Sequence, residues 1–319
     1  MIQFFKLIRY KNLLMIIATQ FLMRYALFQP LLETKYSSLA VSLDLQLPFI
    51  QFVFLVLATV FICAAGYIIN DYFDVNADMI NKPDKVVIGK HISRRTAMSL
   101  HWVLNIVGIL LGGIVSYHIG YINFTSIFVL IITLLWLYST TFSKQPFVGN
   151  ILVALLVAMV PLIVAIYELI PLNEMYYQVL KHSFLSFERL LFWSLGYAIF
   201  AFLLSLIREM VKDVEDLQGD KAYGRNTVPI SLGIPIAKII ISLVYLVTIG
   251  ALFFVFAMHL RSVLSGLYIF VGIVFPLMLS AVLFVKAQSA QEYKRVSSFL
   301  KYIMIIGMAY IPFYNFVVL

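Results

Sequence analysis

The sequence predicts an all-α, polytopic fold: about nine transmembrane helices in one integral-membrane domain over residues 1–319. Three observations predict it. Of 319 residues, 63% are hydrophobic and 12% charged, with a mean hydropathy of +0.99, against about 25% charged in soluble proteins. The apolar residues fall into runs long enough for the roughly 20 residues that a helix needs to cross the hydrocarbon core. The basic residues gather in alternate loops.

The runs predict crossings over Asn12–Pro30, Pro48–Ile69, Thr96–His118, Ile122–Tyr138, Val148–Tyr167, Leu190–Ile207, Pro235–Ala257, Val263–Val285 and Phe299–Val318. Lys6, Arg9 and Lys11 before the first run resemble the start of a signal peptide. Arg24 interrupts its second half, however, and no small-residue cleavage site follows, so it reads as a mature helix. Cys63, the single cysteine, lies in an apolar crossing and can form no intramolecular disulfide.

Lys and Arg are retained in cytoplasmic loops, which orients the chain. With the N-terminus inside, the cytoplasmic segments hold most of the basic residues, including Lys82, Lys85, Lys144, Lys212, Lys221, Arg225 and Lys294, while outer loops keep Lys35, Lys181, Arg189 and Arg261. The expected location is the cell inner membrane. The net charge of +8 then lies on one membrane face, where it suits anionic lipid headgroups or phosphorylated substrates; nucleic acid is not implied.

Ionisable residues at the ends of membrane segments are functional candidates because burying them is costly. One acidic cluster, Asn70-Asp71-Tyr-Phe-Asp74-Val-Asn76-Ala-Asp78, follows the second crossing, and another, Asp213-Val-Glu215-Asp216-Leu-Gln-Gly219-Asp220, follows the sixth. Continued as helices at ~100° per residue, Asn70, Asp74 and Asp78 span an arc of about 80°, and Glu209, Asp213, Asp216 and Asp220 one of about 60°, with Glu215 opposite. Carboxylates in one stripe repel unless a cation neutralises them. Hard oxygen ligands suit Mg²⁺ or Ca²⁺, and Mg²⁺ commonly links a few carboxylates to substrate phosphates. Asp74-x-Asn76-x-Asp78 begins like a calcium loop, but Met79 stands where the turn needs glycine and Lys85 where a bidentate glutamate belongs. Solvated helix ends account poorly for two such clusters on one predicted face, four crossings apart.

Lys82 and Lys85 follow the first cluster, Lys221 and Arg225 the second, and Lys144 is the sole charge in its loop; all could cradle phosphate oxygens, with Lys212 a further contact. His91, His101, His118, His182 and His259 show no metal-ligand spacing. No nucleophile and base are paired in the sequence, and metal-assisted ionisation needs none at its first step.

These residues resemble the UbiA superfamily of membrane prenyltransferases. The likeness covers nearly the whole chain: the crossing pattern, N-D-x-x-D-x-x-x-D at Asn70, Asp71, Asp74 and Asp78, and D-x-x-D-x-x-x-D at Asp213, Asp216 and Asp220. It extends to Asn81-Lys-Pro-Asp-Lys85-Val-Val-Ile-Gly89-Lys-His-Ile-Ser93, where Lys82 and Lys85 replace the usual arginines and so keep charge without the bidentate fork. A Y-x-x-x-K motif of several members is not matched, since Phe142 stands four residues after Tyr138 and the lysine follows at 144.

The resemblance implies nine helices around a central cavity under a cytoplasmic polar cap. It implies Mg²⁺, two ions, held by Asn70, Asp71, Asp74, Asp78, Asp213, Asp216 and Asp220, with Asp71, Asp74, Asp213 and Asp216 catalytic. It also implies ionisation of a prenyl diphosphate donor, with the metal neutralising the leaving group and the cavity keeping water from the allylic cation. The run Arg208–Asp220 is most similar to the digeranylgeranylglyceryl phosphate synthase branch, whose acceptor is a prenylglycerol phosphate. An aromatic acceptor of quinone biosynthesis is the alternative. A divalent-cation transporter is a third reading, opposed by clusters at segment ends rather than at the bilayer midplane.

Overall fold

The computed structural model of the chain describes residues 2–35, 43–183, 186–260 and 262–317. Arg261 and the predicted end of the ninth crossing at Val318 lie outside them. Among the described residues, nine helices are long and apolar enough to cross a membrane: α1 (Tyr10–Thr34), α2 (Phe49–Asn81), α3 (Arg94–His118), α4 (Ile122–Thr140), α5 (Val148–Met175), α6 (Glu188–Glu215), α7 (Ile234–His259), α8 (Val263–Lys286) and α9 (Ala290–Phe316). Each overlaps one predicted crossing. The largest differences are at polar ends: α2 runs on from Ile69 to Asn81, α5 from Tyr167 to Met175 and α6 from Ile207 to Glu215, and α9 starts at Ala290 rather than Phe299. An apolar run marks the thickness of hydrocarbon, whereas the i to i−4 ladder continues into the headgroup zone wherever residues tolerate it.

The chain forms two compact units, residues 1–142 with 159–196, and residues 143–158 with 197–319. In the first, the glycines of α3 let its neighbours approach. A Cβ on Gly108 would lie 2.6 Å from Ile62 Cγ1 of α2, and one on Gly112 only 2.4 Å from Phe128 Cδ2 of α4. Small residues at helix contacts are how packing holds membrane helices together where lipid removes the hydrophobic drive. Polar seams add to it: the His101 ring meets the Ala65 carbonyl at 3.0 Å, and the Ser116 and Tyr167 hydroxyls are 2.7 Å apart.

Seven residues of α1, Leu22–Phe28, wind as a π-helix, a local widening often tied to function. It carries Arg24, which is buried. Its Nε donates to Glu168 Oε1 of α5 at 2.6 Å, Nη1 to Tyr25 Oη at 2.7 Å, and Nη2 to the Leu47 carbonyl, while the guanidinium lies 4.5 Å from the Phe52 ring centre. Glu168, fully buried, also accepts from the Gln46 amide at 2.9 Å. The pair thus ties α1, α5 and the lead-in to α2 together and satisfies both charges out of water.

In the second unit, Leu204, Ile207 and Val211 of α6 pack with Ile241, Leu277 and Leu300. Tyr245 and Ser280 hydroxyls meet at 2.9 Å. The open end of α8 is capped by Lys238, whose Nζ donates to the Val285 and Ala287 carbonyls at 2.7 Å each. A lysine satisfies there what the helix ladder cannot.

Candidate functional site

The first motif occupies the last turns of α2, a single 33-residue helix, so the expected helical continuation holds through Asp78. Asn70, Asp71, Asp74 and Asp78 are all half-buried. Asn70 Nδ2 donates to Asp74 Oδ2 at 2.5 Å, one turn on. Asp71 Oδ1 accepts from Arg9 Nη2 at 2.6 Å. The helix closes where the Lys82 amide bonds the Asp78 carbonyl at 2.8 Å, followed by a 3₁₀ turn over Pro83–Lys85. Lys82 is half-buried and Lys85 exposed. Gly89, at φ 85°, supplies the left-handed turn that returns the chain to Ile92, its amide bonding the Ile92 carbonyl at 2.9 Å. Val86, Val87 and Ile88 are buried and pin this loop.

The second motif differs from its expected form. Helix α6 stops at Glu215, Asp216 has φ −93° and ψ 8°, and a short helix, Leu217–Ala222, begins after it. Aspartate is a poor helix-interior residue, which suits a break at this position. The ladder survives across it, with the Asp216 amide on the Lys212 carbonyl at 2.8 Å and the Asp220 amide on the Asp216 carbonyl at 3.1 Å. One-turn spacing of the carboxylates is therefore kept.

Asp213 Oδ2 accepts from Asn150 Nδ2 of α5 at 2.9 Å. Asp220 is buried and pairs with Arg225 Nη1 at 3.5 Å. Lys212 is engaged within its own helix, its Nζ 2.6 and 2.9 Å from the two carboxylate oxygens of Glu209, which also pairs with Arg208 at 2.8 Å. Lys221 and Lys144 are exposed. The Lys144 carbonyl accepts from the Asn226 amide at 2.9 Å, so the loop of Lys144 is fastened to the segment just beyond the second motif. Phe147, at φ 63°, bends that loop through a conformation uncommon for an aromatic residue.

The donor set fits a hard divalent ion. Its charged members are oxygen donors, and Asn70 can present its amide carbonyl. Among the described residues, no three His, Cys, Asp or Glu groups converge on one point. Mg²⁺ characteristically keeps several waters and takes one or two carboxylates plus substrate phosphates. Cations already adjoin three of the acidic groups, namely Arg9 at Asp71, Arg225 at Asp220 and Lys212 at Glu209.

Three polar participants escape a reading of the sequence. Arg9 looks like any other positive-inside residue, and its partner is 62 positions away. Asn150 is a lone amide at the start of an apolar run. Glu168 is a single carboxylate directly after the fifth predicted crossing, and the one signal for it is Arg24, an isolated charge in the first.

Nine candidate membrane helices among the described residues, two of them with polar ends that carry aspartates at one-turn spacing, define a polytopic membrane protein with two acidic helix ends. The sequence model of the UbiA prenyltransferase family matches residues 33–305, and the chain belongs to that family. A digeranylgeranylglyceryl phosphate synthase of Thermococcus sibiricus is 36% identical over 192 residues, 59% of each chain. One from Methanobrevibacter smithii is 27% identical over 258 residues, 81% of this chain and 84% of that one. The matched region thus spans about three fifths of the Thermococcus relative. The fold is that of solved UbiA proteins. A digeranylgeranylglyceryl phosphate synthase structure aligns over 98% of this chain with TM-score 0.63 at 21% identity, and an Aeropyrum pernix UbiA homologue over 94% with TM-score 0.64 at 12% identity. A UbiA homologue from Archaeoglobus fulgidus, bound to DMAPP and Mg²⁺, aligns with TM-score 0.54 at 14% identity.

Proposed function

We propose that this chain is an intramembrane prenyltransferase that moves a prenyl group from a prenyl diphosphate to a prenylglycerol phosphate, acting as a single domain in the cell inner membrane. The observation that carries the reading is the pair of carboxylate runs, each at the C-terminal end of an even-numbered membrane helix beside a basic loop, in a member of the UbiA family. With the N-terminus in the cytoplasm, the C-terminal ends of α2 and α6 face the cytoplasm too. Relatives named digeranylgeranylglyceryl phosphate synthase support the lipid acceptor, and the DMAPP- and Mg²⁺-bound homologue supports the donor and the metal.

Asn70, Asp71, Asp74 and Asp78 on α2, and Asp213, Asp216 and Asp220 at the end of α6, are the residues that would hold Mg²⁺. Bound there, Mg²⁺, two ions in this reading, would supply positive charge to offset the negative charge growing on the leaving group. Asn150 fixes the rotamer of Asp213, and Arg225 orients Asp220. Lys82, Lys85, Lys144 and Lys221 contact phosphate oxygens, and Lys212 joins them by exchanging Glu209 for phosphate. The carbon–oxygen bond of the donor breaks first, and the acceptor hydroxyl then attacks the allylic carbon, releasing its proton.

Incubating the purified protein with labelled prenyl diphosphates and an acceptor panel, with and without chelator, tests this. Chelator-sensitive transfer to prenylglycerol phosphate is expected. Efficient transfer to 4-hydroxybenzoate or a dihydroxynaphthoate in its place would establish the aromatic-acceptor alternative. Mg²⁺ uptake into liposomes without a donor would establish a transporter.

A further inference from the structure

We propose that Arg9 is a substrate-phosphate ligand, kept in position by Asp71 until a divalent ion takes that carboxylate. The inference rests on the reading of function above and assigns a role to a residue outside both motifs. Arg9 is the joint between the short helix Ile2–Leu7 and α1, and adopts φ 51° and ψ 52°, a left-handed conformation uncommon for a residue with a side chain. Main-chain bonds hold it there: its amide reaches the Lys6 carbonyl at 3.1 Å, and its carbonyl accepts from the Asn12 amide at 2.8 Å and the Leu13 amide at 3.4 Å. Such strain at a single residue is worth explaining by function when the surroundings enforce it.

The joint directs the side chain at the first motif. The guanidinium carbon lies 5.0 Å from the centre of the Tyr67 ring, and Nη2 lies 2.6 Å from Asp71 Oδ1. Tyr67 precedes Asp71 by four residues on α2, so shelf and carboxylate share a helix face. Asn12 Nδ2 bonds Tyr67 Oη at 3.3 Å and holds the shelf from the side of Arg9. Arg9 is 36% exposed and Asp71 21% exposed, so both can be reached by a ligand.

A guanidinium and a divalent ion compete for one carboxylate oxygen. An ion held by Asp71 would release the guanidinium from that oxygen, and the Tyr67 ring, 5.0 Å from the guanidinium carbon, would keep it at the motif to meet substrate phosphate. The guanidinium's planar fork matches phosphate geometry, which the lysines at 82 and 85 lack.

The distinguishing signature is a pair of opposite shifts. Mn²⁺ binding, read by paramagnetic resonance without other ligands, should tighten several-fold in Arg9→Gln, because a competing cation is gone. Binding of inorganic pyrophosphate with Mg²⁺, read by calorimetry, should weaken roughly tenfold or more, the range for a hydrogen bond to a charged group. Arg9→Lys should fall between wild type and Arg9→Gln for pyrophosphate, and it carries the test if Arg9→Gln does not fold. Unchanged pyrophosphate affinity, or both affinities weakening together as a structural role requires, overturns the proposal. Wild-type protein that binds no pyrophosphate with Mg²⁺ overturns the reading of function along with it, whereas binding that is normal in wild type and in both variants overturns the role of Arg9 alone.

Discussion

At the scale of single residues, charges in this chain fall into two kinds that behave differently on mutation. Asp74 and Asp216 stand in the middle of their motifs. Asp74→Ala or Asp216→Ala should lower turnover by about two to three orders of magnitude, as removal of one preorganised charge-stabilising contact does, while thermal stability in detergent stays near that of wild type. Wild-type activity persisting in excess chelator would contradict the metal role. Arg24 and Glu168 are structural by contrast, paired at 2.6 Å with both side chains almost wholly buried. Glu168→Gln should destabilise by about 3–5 kcal/mol because it strands a buried guanidinium, and the double variant Arg24→Met/Glu168→Leu should recover most of that loss. Melting of the two variants decides it: a double variant no better than the single one would show that packing, not the stranded charge, sets the effect.

At the scale of helices, the contacts of α3 are limited by the absence of side chains. Phe128 is fully buried and cannot move aside, so a methyl on Gly112, 2.4 Å from its ring, should cost about 1–3 kcal/mol by overpacking. Gly250 of α7 has nothing within 4 Å of a built Cβ, so Gly250→Ala should be neutral or stabilising, by up to about 1 kcal/mol from helix propensity. Equal melting temperatures for Gly112→Ala and Gly250→Ala would refute this account. The crossings were legible in the sequence because twenty apolar residues have one interpretation in a bilayer. Hydropathy did not mark their polar ends, since Asn70–Asn81 and Arg208–Glu215 are helical through backbone bonding; the one-turn spacing of the acidic residues is what pointed to the continuation. The stop at Asp216 was equally hidden, because one-turn carboxylate spacing is the same with or without a local break. Both acidic clusters could be read from composition and spacing, whereas Arg9, Asn150 and Glu168 become visible only when distant segments are brought together.

For the whole molecule, alternation of nine crossings predicts which loops share a face. In a Cys63→Ser background, single cysteines at Lys85 and Lys221 should react with an impermeant thiol reagent from the cytoplasmic side, and one at Lys181 from the other. All three positions are exposed. Labelling of 85 and 221 from opposite sides would break the assignment of both motifs to one face. The extent of α2 has a kinetic meaning. Its apolar part, Phe49 to Ile69, rises about 32 Å at 1.5 Å per residue, close to the roughly 30 Å of the hydrocarbon layer, so Asp71 to Asp78 stand at headgroup depth. A prenyl diphosphate dissolved in the leaflet holds its charged end at that same depth. Under the proposed function, donor and carboxylates would therefore meet by lateral diffusion in two dimensions, and the concentration that governs their encounter would be the mole fraction of donor in the lipid rather than its amount in water.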